Sequence, residues 1–165
     1  MLLSLTGVAV PVHAQGPASR KAIPPRQVCV VQRISDGDTL WCRGRVKVRL
    51  LLIDAPERDQ RPFGPKATAA IMRLAPVGTR LELETDVQQL DRNGRTLAYL
   101  YLPDGRMLNE ELARQGFATA LVYPPNVRYV ERIRRAVAEA RAAKRGLWAS
   151  DGFACEPREH RRRKC

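Results

Sequence analysis

The sequence predicts an α+β fold in which a small closed β-barrel comes before most of the helical residues. Five short segments are rich in β-branched or alternating apolar residues, and turn sequences containing Asp and Gly separate them. The longest segment with helical periodicity follows the last of these strands. Strands followed by helices are typical of α+β domains, and a meander of short strands can close into a barrel. A chain of 165 residues is long enough for one domain with its own core.

The five predicted strands cover residues 27–34, 39–43, 46–53, 80–87 and 96–102. In the third strand, apolar residues occupy every second position from Val46 to Leu52, whereas Lys47 and Arg49 share the opposite face. The sequence DAPE at 54–57 ends this strand, because the residue before a proline is steered away from helical geometry.

Three helices are predicted at about residues 65–74, 109–116 and 127–145. Pro65 suits the first turn of the first helix, and Asn109 is expected to cap the second. The third helix carries an apolar stripe opposite its arginines, and Gly146 ends it. The stripe consists of Val130, Ile133, Val137 and Ala140.

The two ends of the chain differ from the predicted domain at 27–150. Residues 1–14 contain a short apolar run that ends in Val12-His13-Ala14, which predicts a signal peptide cleaved after Ala14; a buried N-terminal strand is the alternative. Residues 15–26 are polar and Pro-rich and are expected to be a linker. Residues 151–165 form a basic tail, either a solvated end or a nucleic-acid clamp. We expect the mature chain to be secreted or periplasmic, monomeric and free of the membrane.

The charge balance favours a polyanionic partner. Lys and Arg total 29 against 17 Asp and Glu, which gives a net charge of +12. Such an excess attracts nucleic acid or an anionic membrane surface, although a basic surface can also serve solubility alone.

The four cysteines predict disulfide bonds rather than thiol chemistry. Their number is even, the chain is expected to be exported, and the spacing lacks a CxxC pair. Cys29 and Cys42 flank a predicted hairpin, which favours pairing them and leaves Cys155 for Cys165. Four free thiols remain the alternative.

Hydrolytic chemistry in this chain would have to rest on carboxylates and arginines. The only histidines are His13, within the predicted signal peptide, and His160, within the basic tail. Their scarcity nearly excludes a zinc site built on histidine or a catalytic histidine pair.

Acidic residues cluster in two turns of the predicted meander. Asp36 and Asp38 precede the second strand, and Asp54 and Glu57 follow the third. A single acid in a turn usually bonds backbone N–H groups. As a set, however, these acids can converge, and converging carboxylates repel one another unless a cation neutralises them. Oxygen ligands suit a hard cation such as Ca²⁺.

Two arginines are placed to complement this cluster. Arg49 lies on the strand that leads to Asp54, and Arg95 follows a turn containing Gly94. A guanidinium group can hold a phosphate through paired hydrogen bonds and can stabilise the charge that develops when the phosphate is attacked.

Several motifs in register resemble the staphylococcal nuclease (thermonuclease) family. They are Ser35–Thr39 (SDGDT), Arg49–Glu57 (RLLLIDAPE) and Asp91–Arg95 (DRNGR). The resemblance continues through Asn109-Glu110, Arg114–Gly116, Tyr123–Asn126 and Gly146–Trp148, and it covers roughly residues 27–150.

The resemblance implies a five-stranded OB-type β-barrel with three α-helices, and a calcium-dependent endonuclease. The substrates would be single-stranded or locally open DNA and RNA, cut to leave 3′-phosphates. The implied Ca²⁺ site consists of the carboxylates of Asp38 and Asp54, the backbone carbonyl of Ala55, and Asp36 through a water. Glu57 would orient or activate the attacking water, and Arg49 and Arg95 would bind the scissile phosphate.

The sequence departs from the family pattern near the nucleotide pocket. Ala55 stands where the family commonly has Thr, but only a backbone oxygen is needed there. Asn93 and Leu121 replace tyrosines that line the nucleotide pocket in the best-known member, whereas Tyr123 is retained. The lost tyrosines predict weaker binding of single nucleotides. The expected substrate contacts are Tyr123, Arg92 and Asn93, with a solvated surface charge as the alternative for Arg92.

Two other functions compete with a nuclease. A non-catalytic OB-fold protein that binds nucleic acid should lack at least one of five residues, all of which are present: Asp38, Arg49, Asp54, Glu57 and Arg95. An exported basic protein that binds anionic envelope polymers would explain the charge but not the clustered acids.

Overall fold

A computed structural model describes residues 26–165 of the protein. The predicted signal peptide and all but the last residue of the predicted linker lie outside the described residues. Within these residues the structure has seven strands: β1 Gln27–Ile34, β2 Thr39–Cys42, β3 Val46–Leu50, β4 Ile53–Asp54, β5 Arg80–Leu90, β6 Thr96–Tyr101 and β7 Thr119–Ala120. The same residues form four α-helices: α1 Phe63–Leu74, α2 Leu108–Arg114, α3 Val130–Ala142 and α4 Pro157–Arg161. A short 3-10 helix covers Gly146–Ala149.

Five of the strands close into a barrel in the order β1-β2-β3-β6-β5. Neighbouring strands are antiparallel except β3 and β6, which run parallel. Alternate residues point inward, and the fully buried Leu40, Val48 and Leu100 are part of the interior. The predicted α+β class and the five-stranded barrel are confirmed.

The predicted third strand is wrong in its second half. It ends at Leu50, and the chain then turns at Leu52, whose φ is 65°. Residues 50–53 are four consecutive buried apolar residues, so they cannot alternate between a core face and a solvent face. After the turn, Ile53 and Asp54 pair with β7 instead of the barrel. This turn moves Asp54 out of the line of β3.

Asn109 does not begin α2 as a cap, because α2 already starts at Leu108. The side chain of Asn109 is fully buried and bonds the barrel. Its Oδ1 accepts from Leu100 N at 3.0 Å, and its Nδ2 donates to Leu51 O at 2.9 Å and to Ala98 O at 3.2 Å. Asn109 therefore fastens α2 to β6 and to the turn that precedes Asp54.

Both predicted disulfide pairs form. Cys29 and Cys42 join β1 to β2 with a Cα–Cα distance of 5.1 Å. Cys155 and Cys165 enclose α4 with a Cα–Cα distance of 5.8 Å. Because residues 151–165 contain this bridge and a helix, the basic tail is a folded segment. Among the described residues, none of the helices combines the length and the apolar character needed to cross a membrane.

Candidate active site

The turn between β1 and β2 places Asp38 against the end of β4, which carries Asp54, and against Ala55 that follows it. Asp38 N donates to Asp36 Oδ1 at 3.1 Å, which tightens the turn. A Cβ atom at Gly37 would lie 2.6 Å from Ala55 Cβ and 2.7 Å from Ala67 Cβ. The turn can pack this closely only because position 37 has no side chain.

Asp38 and Asp54 converge on one guanidinium group. Arg49 Nη2 lies 3.0 Å from Asp38 Oδ2 and 3.1 Å from Asp54 Oδ1. Asp38 Oδ2 also accepts from Ala55 N at 3.0 Å. The exposed fraction is only 7% for Asp38 and 2% for Asp54. The structure thus brings together the two carboxylates that the sequence placed on separate turns.

Arg49 is held in place by the chain turn it sits beside. Its Nη1 donates to Leu50 O at 2.5 Å and to Ile53 O at 2.9 Å. These bonds to backbone carbonyls fix the guanidinium while Nη2 faces the two aspartates, so the turn at Leu52 positions the arginine as well as Asp54.

The buried carboxylates of the site are stabilised in their charged form by nearby positive charge. Burial raises the pKa of Asp54, and the guanidinium groups of Arg161 and Arg49 oppose that rise. Burial and the nearby charge of Asp38 raise the pKa of Asp36 to about 6. A cation bound among these groups would relieve both the desolvation and the mutual repulsion.

Glu57 lies at the start of the loop that leads into α1. Its backbone N donates to Gln60 Oε1 at 2.8 Å. A Cβ atom at Gly64 would lie 1.9 Å from Glu57 O, so glycine lets the first turn of α1 rest directly on this loop. The loop backbone is thereby fixed while the Glu57 side chain points to the cavity described below.

Arg95 is oriented by the turn between β5 and β6. Asp91 Oδ1 accepts from Asn93 N and Arg95 N, each at 2.9 Å, and Asp91 Oδ2 accepts from Arg95 Nε at 2.6 Å. The bond to Asp91 uses Nε and not the two terminal nitrogens, and Arg95 lines the cavity that also holds Arg49 and Glu57. Arg92 and Asn93 are exposed in the same turn.

A single cavity of about 690 Å³ connects most of the predicted site. Its lining includes eight of the ten predicted residues: Asp36, Asp38, Arg49, Glu57, Arg92, Asn93, Arg95 and Tyr123. Asp54 and Ala55 are outside the lining. They lie against it, because Asp54 bonds Arg49 and Ala55 N bonds Asp38. Tyr123 is 61% exposed and presents its ring at the rim.

Arg161 of α4 is a site residue that the sequence analysis missed. Its Nη1 lies 2.6 Å from Glu57 Oε1 and 3.1 Å from Asp54 Oδ1, and its Nη2 lies 2.8 Å from Asp54 Oδ2. Burial alone would lower the pKa of Arg161, but the bonds to Asp54 and Glu57 raise it above the ordinary value. The only sequence signal was a run of basic residues between two cysteines, which does not indicate which arginine points inward.

The residues fit a hard divalent cation. In the part of the chain that the structure describes, no group of three or more His, Cys, Asp or Glu side chains is arranged to hold a metal. The predicted set, however, needs only the carboxylates of Asp38 and Asp54, and its other ligands are a backbone oxygen and water. The buried Asp54 carboxylate forms a salt bridge with Arg161. The guanidinium thus supplies positive charge at a position where a metal ion would also supply it.

Comparisons with known proteins give consistent matches. A family described as Staphylococcal nuclease homologue matches residues 47–150. The chain is 36% identical to a thermonuclease of Staphylococcus hyicus over 132 residues, which is 75% of this chain and 77% of that protein. It is 34% identical to a thermonuclease of Staphylococcus intermedius over 146 residues, 83% of this chain and 86% of that protein. It is 35% identical to the endonuclease YncB of Bacillus subtilis (strain 168) over 133 residues, 74% of this chain and 62% of that protein.

Proposed function

The chain belongs to the staphylococcal nuclease family, and on this premise we propose that it is a calcium-dependent endonuclease that hydrolyses DNA and RNA. One observation supports the proposal most directly. Two buried carboxylates meet at Arg49 beside a cavity that Glu57 and Arg95 also line. This arrangement joins an oxygen-ligand site, a potential base and two phosphate-binding groups.

The proposed cation ligands are the carboxylates of Asp38 and Asp54, the Ala55 carbonyl, and Asp36 through a water. Thr39 Oγ1 donates to Asp38 Oδ1 at 3.0 Å and orients that carboxylate. When bound, Ca²⁺ would supply Lewis-acid stabilisation of charge on the phosphate.

The other steps use the chain's own groups. Glu57 would accept a hydrogen bond or a proton from the attacking water, because its carboxylate faces the cavity. Arg49 and Arg95 would neutralise the charge that develops on the phosphate oxygens. Arg95 would also stabilise the leaving 5′ oxygen; water attacks phosphorus as the P–O5′ bond breaks, so the upstream fragment keeps a 3′-phosphate and the downstream fragment gains a 5′-hydroxyl.

The proposed substrate is a single-stranded or locally open region of nucleic acid. The net charge of +12 favours binding of the phosphate backbone. The exposed ring of Tyr123 offers a stacking surface that needs an unpaired base, and Arg92 and Asn93 lie on the same cavity. We propose that the mature protein acts as a monomer in the periplasm or outside the cell.

One observation favours the alternative of a non-catalytic OB-fold protein that binds nucleic acid. Arg161 forms salt bridges with Asp54 and Glu57, and the proposed catalysis requires both of these carboxylates. A cleavage assay separates the two functions. Single-stranded DNA and RNA are incubated with the mature chain in Ca²⁺ or in a chelator, and binding is measured in parallel.

We expect cleavage only in Ca²⁺. Arg49→Ala should lower kcat by about 10²–10³-fold, since it removes a group that stabilises the transition state. Glu57→Gln should lower it by about 10²–10⁴-fold. Arg43→Ala, which removes the same charge from an exposed turn, serves as the control. Binding without cleavage in any divalent cation would identify the non-catalytic alternative, and equal cleavage in the chelator would contradict the calcium assignment.

A further inference from the structure

The C-terminal segment, residues 151–165, is built onto the rim of the cavity. Phe153 packs on Trp148 with their ring centroids 4.4 Å apart. Gln60, on the loop after Glu57, donates from Nε2 to Cys155 O at 3.1 Å. His160 Nε2 lies 3.1 Å from Asp59 Oδ1. These contacts fix both ends of α4 beside the loop that carries Glu57.

The segment delivers one guanidinium to the carboxylates of the candidate site. Arg161 contacts both oxygens of Asp54 and one oxygen of Glu57. Asp54 Oδ1 is shared with Arg49, so both oxygens of this carboxylate are engaged by arginines. Arg161 and Glu57 also line a smaller pocket together with Asp59 and His160.

A divalent cation and Arg161 need the same oxygens. A bound Ca²⁺ would add two positive charges to a carboxylate that Arg49 and Arg161 already share, and the added repulsion is strong at a site that is only 2% exposed. We propose that Arg161 is an intramolecular competitor for the cation site, and that it must release Asp54 before this carboxylate can ligate Ca²⁺. This inference rests on the proposed function, since it concerns regulation of the same site.

The disulfide bond gives the competitor a high local concentration. Cys155 and Cys165 close a short ring around α4, and the ring is held to the loop at Gln60. A tethered group competes at an effective concentration set by its tether. Arg161 should therefore return to Asp54 whenever the cation leaves, and opening of the ring should weaken this competition.

Calcium binding by isothermal titration calorimetry tests the inference without reference to activity. Arg161→Ala should lower the Kd for Ca²⁺ by about five- to tenfold, which corresponds to about 1–1.4 kcal/mol. Arg158→Ala is the matched control, because it removes the same charge from an exposed position of α4. It should change the Kd less than about twofold, the effect of general charge near a screened surface.

A second pair of variants tests the tether. The double variant Cys155→Ser/Cys165→Ser should shift the Kd in the same direction as Arg161→Ala, by a smaller factor. In thermal unfolding, Ca²⁺ should raise the Tm of Arg161→Ala more than that of the wild type, because tighter binding to the folded state gives a larger shift. Circular dichroism verifies that the variants are folded.

The results separate this inference from the proposed function. An unchanged Kd in Arg161→Ala, with a wild type that cleaves DNA in Ca²⁺, overturns the competition and leaves the nuclease proposal intact. A tighter Kd with a wild type that never cleaves supports the competition and overturns the nuclease. Loss of cleavage in Arg161→Ala at saturating Ca²⁺, with the Kd unchanged, would place Arg161 among the phosphate-binding groups and also overturn the competition.

Discussion

The Asn109 side chain ties three parts of the domain together, and Asn109→Ala removes all three of its hydrogen bonds. The residue is fully buried, so water cannot replace the lost partners. Ala98 O also accepts from Leu51 N at 3.0 Å and keeps that bond. Leu100 N and Leu51 O lose the bonds that Asn109 makes to them at 3.0 and 2.9 Å.

The expected loss of stability follows from these two groups. A buried backbone group left without its partner costs about 1–3 kcal/mol, so the free energy of unfolding should fall by about 2–6 kcal/mol. That is a large part of the roughly 5–15 kcal/mol that stabilises a typical domain. Asn109→Asp should be at least as harmful, because its carboxylate would face the carbonyl oxygens of Leu51 and Ala98.

Urea unfolding followed by circular dichroism measures the change. The midpoint should fall while the m-value stays constant. Asn93→Ala is the control, since the exposed Asn93 side chain should contribute within about 0.5 kcal/mol. A loss below about 1 kcal/mol for Asn109→Ala would refute the reasoning, because it would mean that the two backbone groups do not depend on this amide.

Three further changes have defined outcomes. Gly64→Ala should lower the rate of DNA cleavage without removing a charged group, because the new Cβ would lie 1.9 Å from Glu57 O and must displace that loop; unchanged kinetics would contradict this packing. The double variant Cys29→Ser/Cys42→Ser should lose about 3 kcal/mol of unfolding free energy in urea, and no loss would mean that the bridge adds nothing to the barrel. Burial alone would raise the pKa of Glu84, but hydrogen bonds from one arginine and two tyrosines lower it below its ordinary value of 4.5. The stability that the ionised Glu84 adds is therefore fully present above pH 4.5 and is lost as the pH falls through the lowered pKa of Glu84. The difference in Tm between the wild type and Glu84→Gln should be largest near neutral pH and should shrink below pH 4.5; a constant difference would contradict this assignment.

Local patterns were enough to predict the barrel but not the turn inside it. Alternation marks a strand with one buried face, and this rule located β1, β2 and β6 closely. It fails at Leu50–Ile53, where every residue is buried and the alternation that would set a register is missing. The turn is held by hydrogen bonds that the backbone of the neighbouring Leu51 makes with Asn109 and Ala98, which are distant in sequence. A constraint from residues so far away in the chain cannot be predicted from the residues next to the turn.

The candidate site was predictable to a similar degree. Its acids and two of its arginines stand in short motifs at fixed spacing, so the sequence could indicate Asp38, Asp54 and Glu57 together. The position of Arg161 depends on how α4 docks, and docking depends on Gln60 and on a disulfide that encloses the helix. A basic run with many arginines has no periodic feature that selects one of them.

Charge compensation explains why the site involves a segment outside the family match. Asp38 and Asp54 are nearly inaccessible to water, so their charges must be balanced by groups within the protein or by a bound ion. Arg49 contacts one oxygen of each carboxylate, Asp38 Oδ2 and Asp54 Oδ1. The other oxygen of Asp54, Oδ2, therefore needs a second cationic partner. Arg161 supplies that charge from beyond residue 150, where the family match ends. The family motif therefore places two buried carboxylates that need compensating positive charge, and the C-terminal segment of this chain supplies part of it through Arg161. Under the proposed competition, a bound metal ion would have to displace this guanidinium.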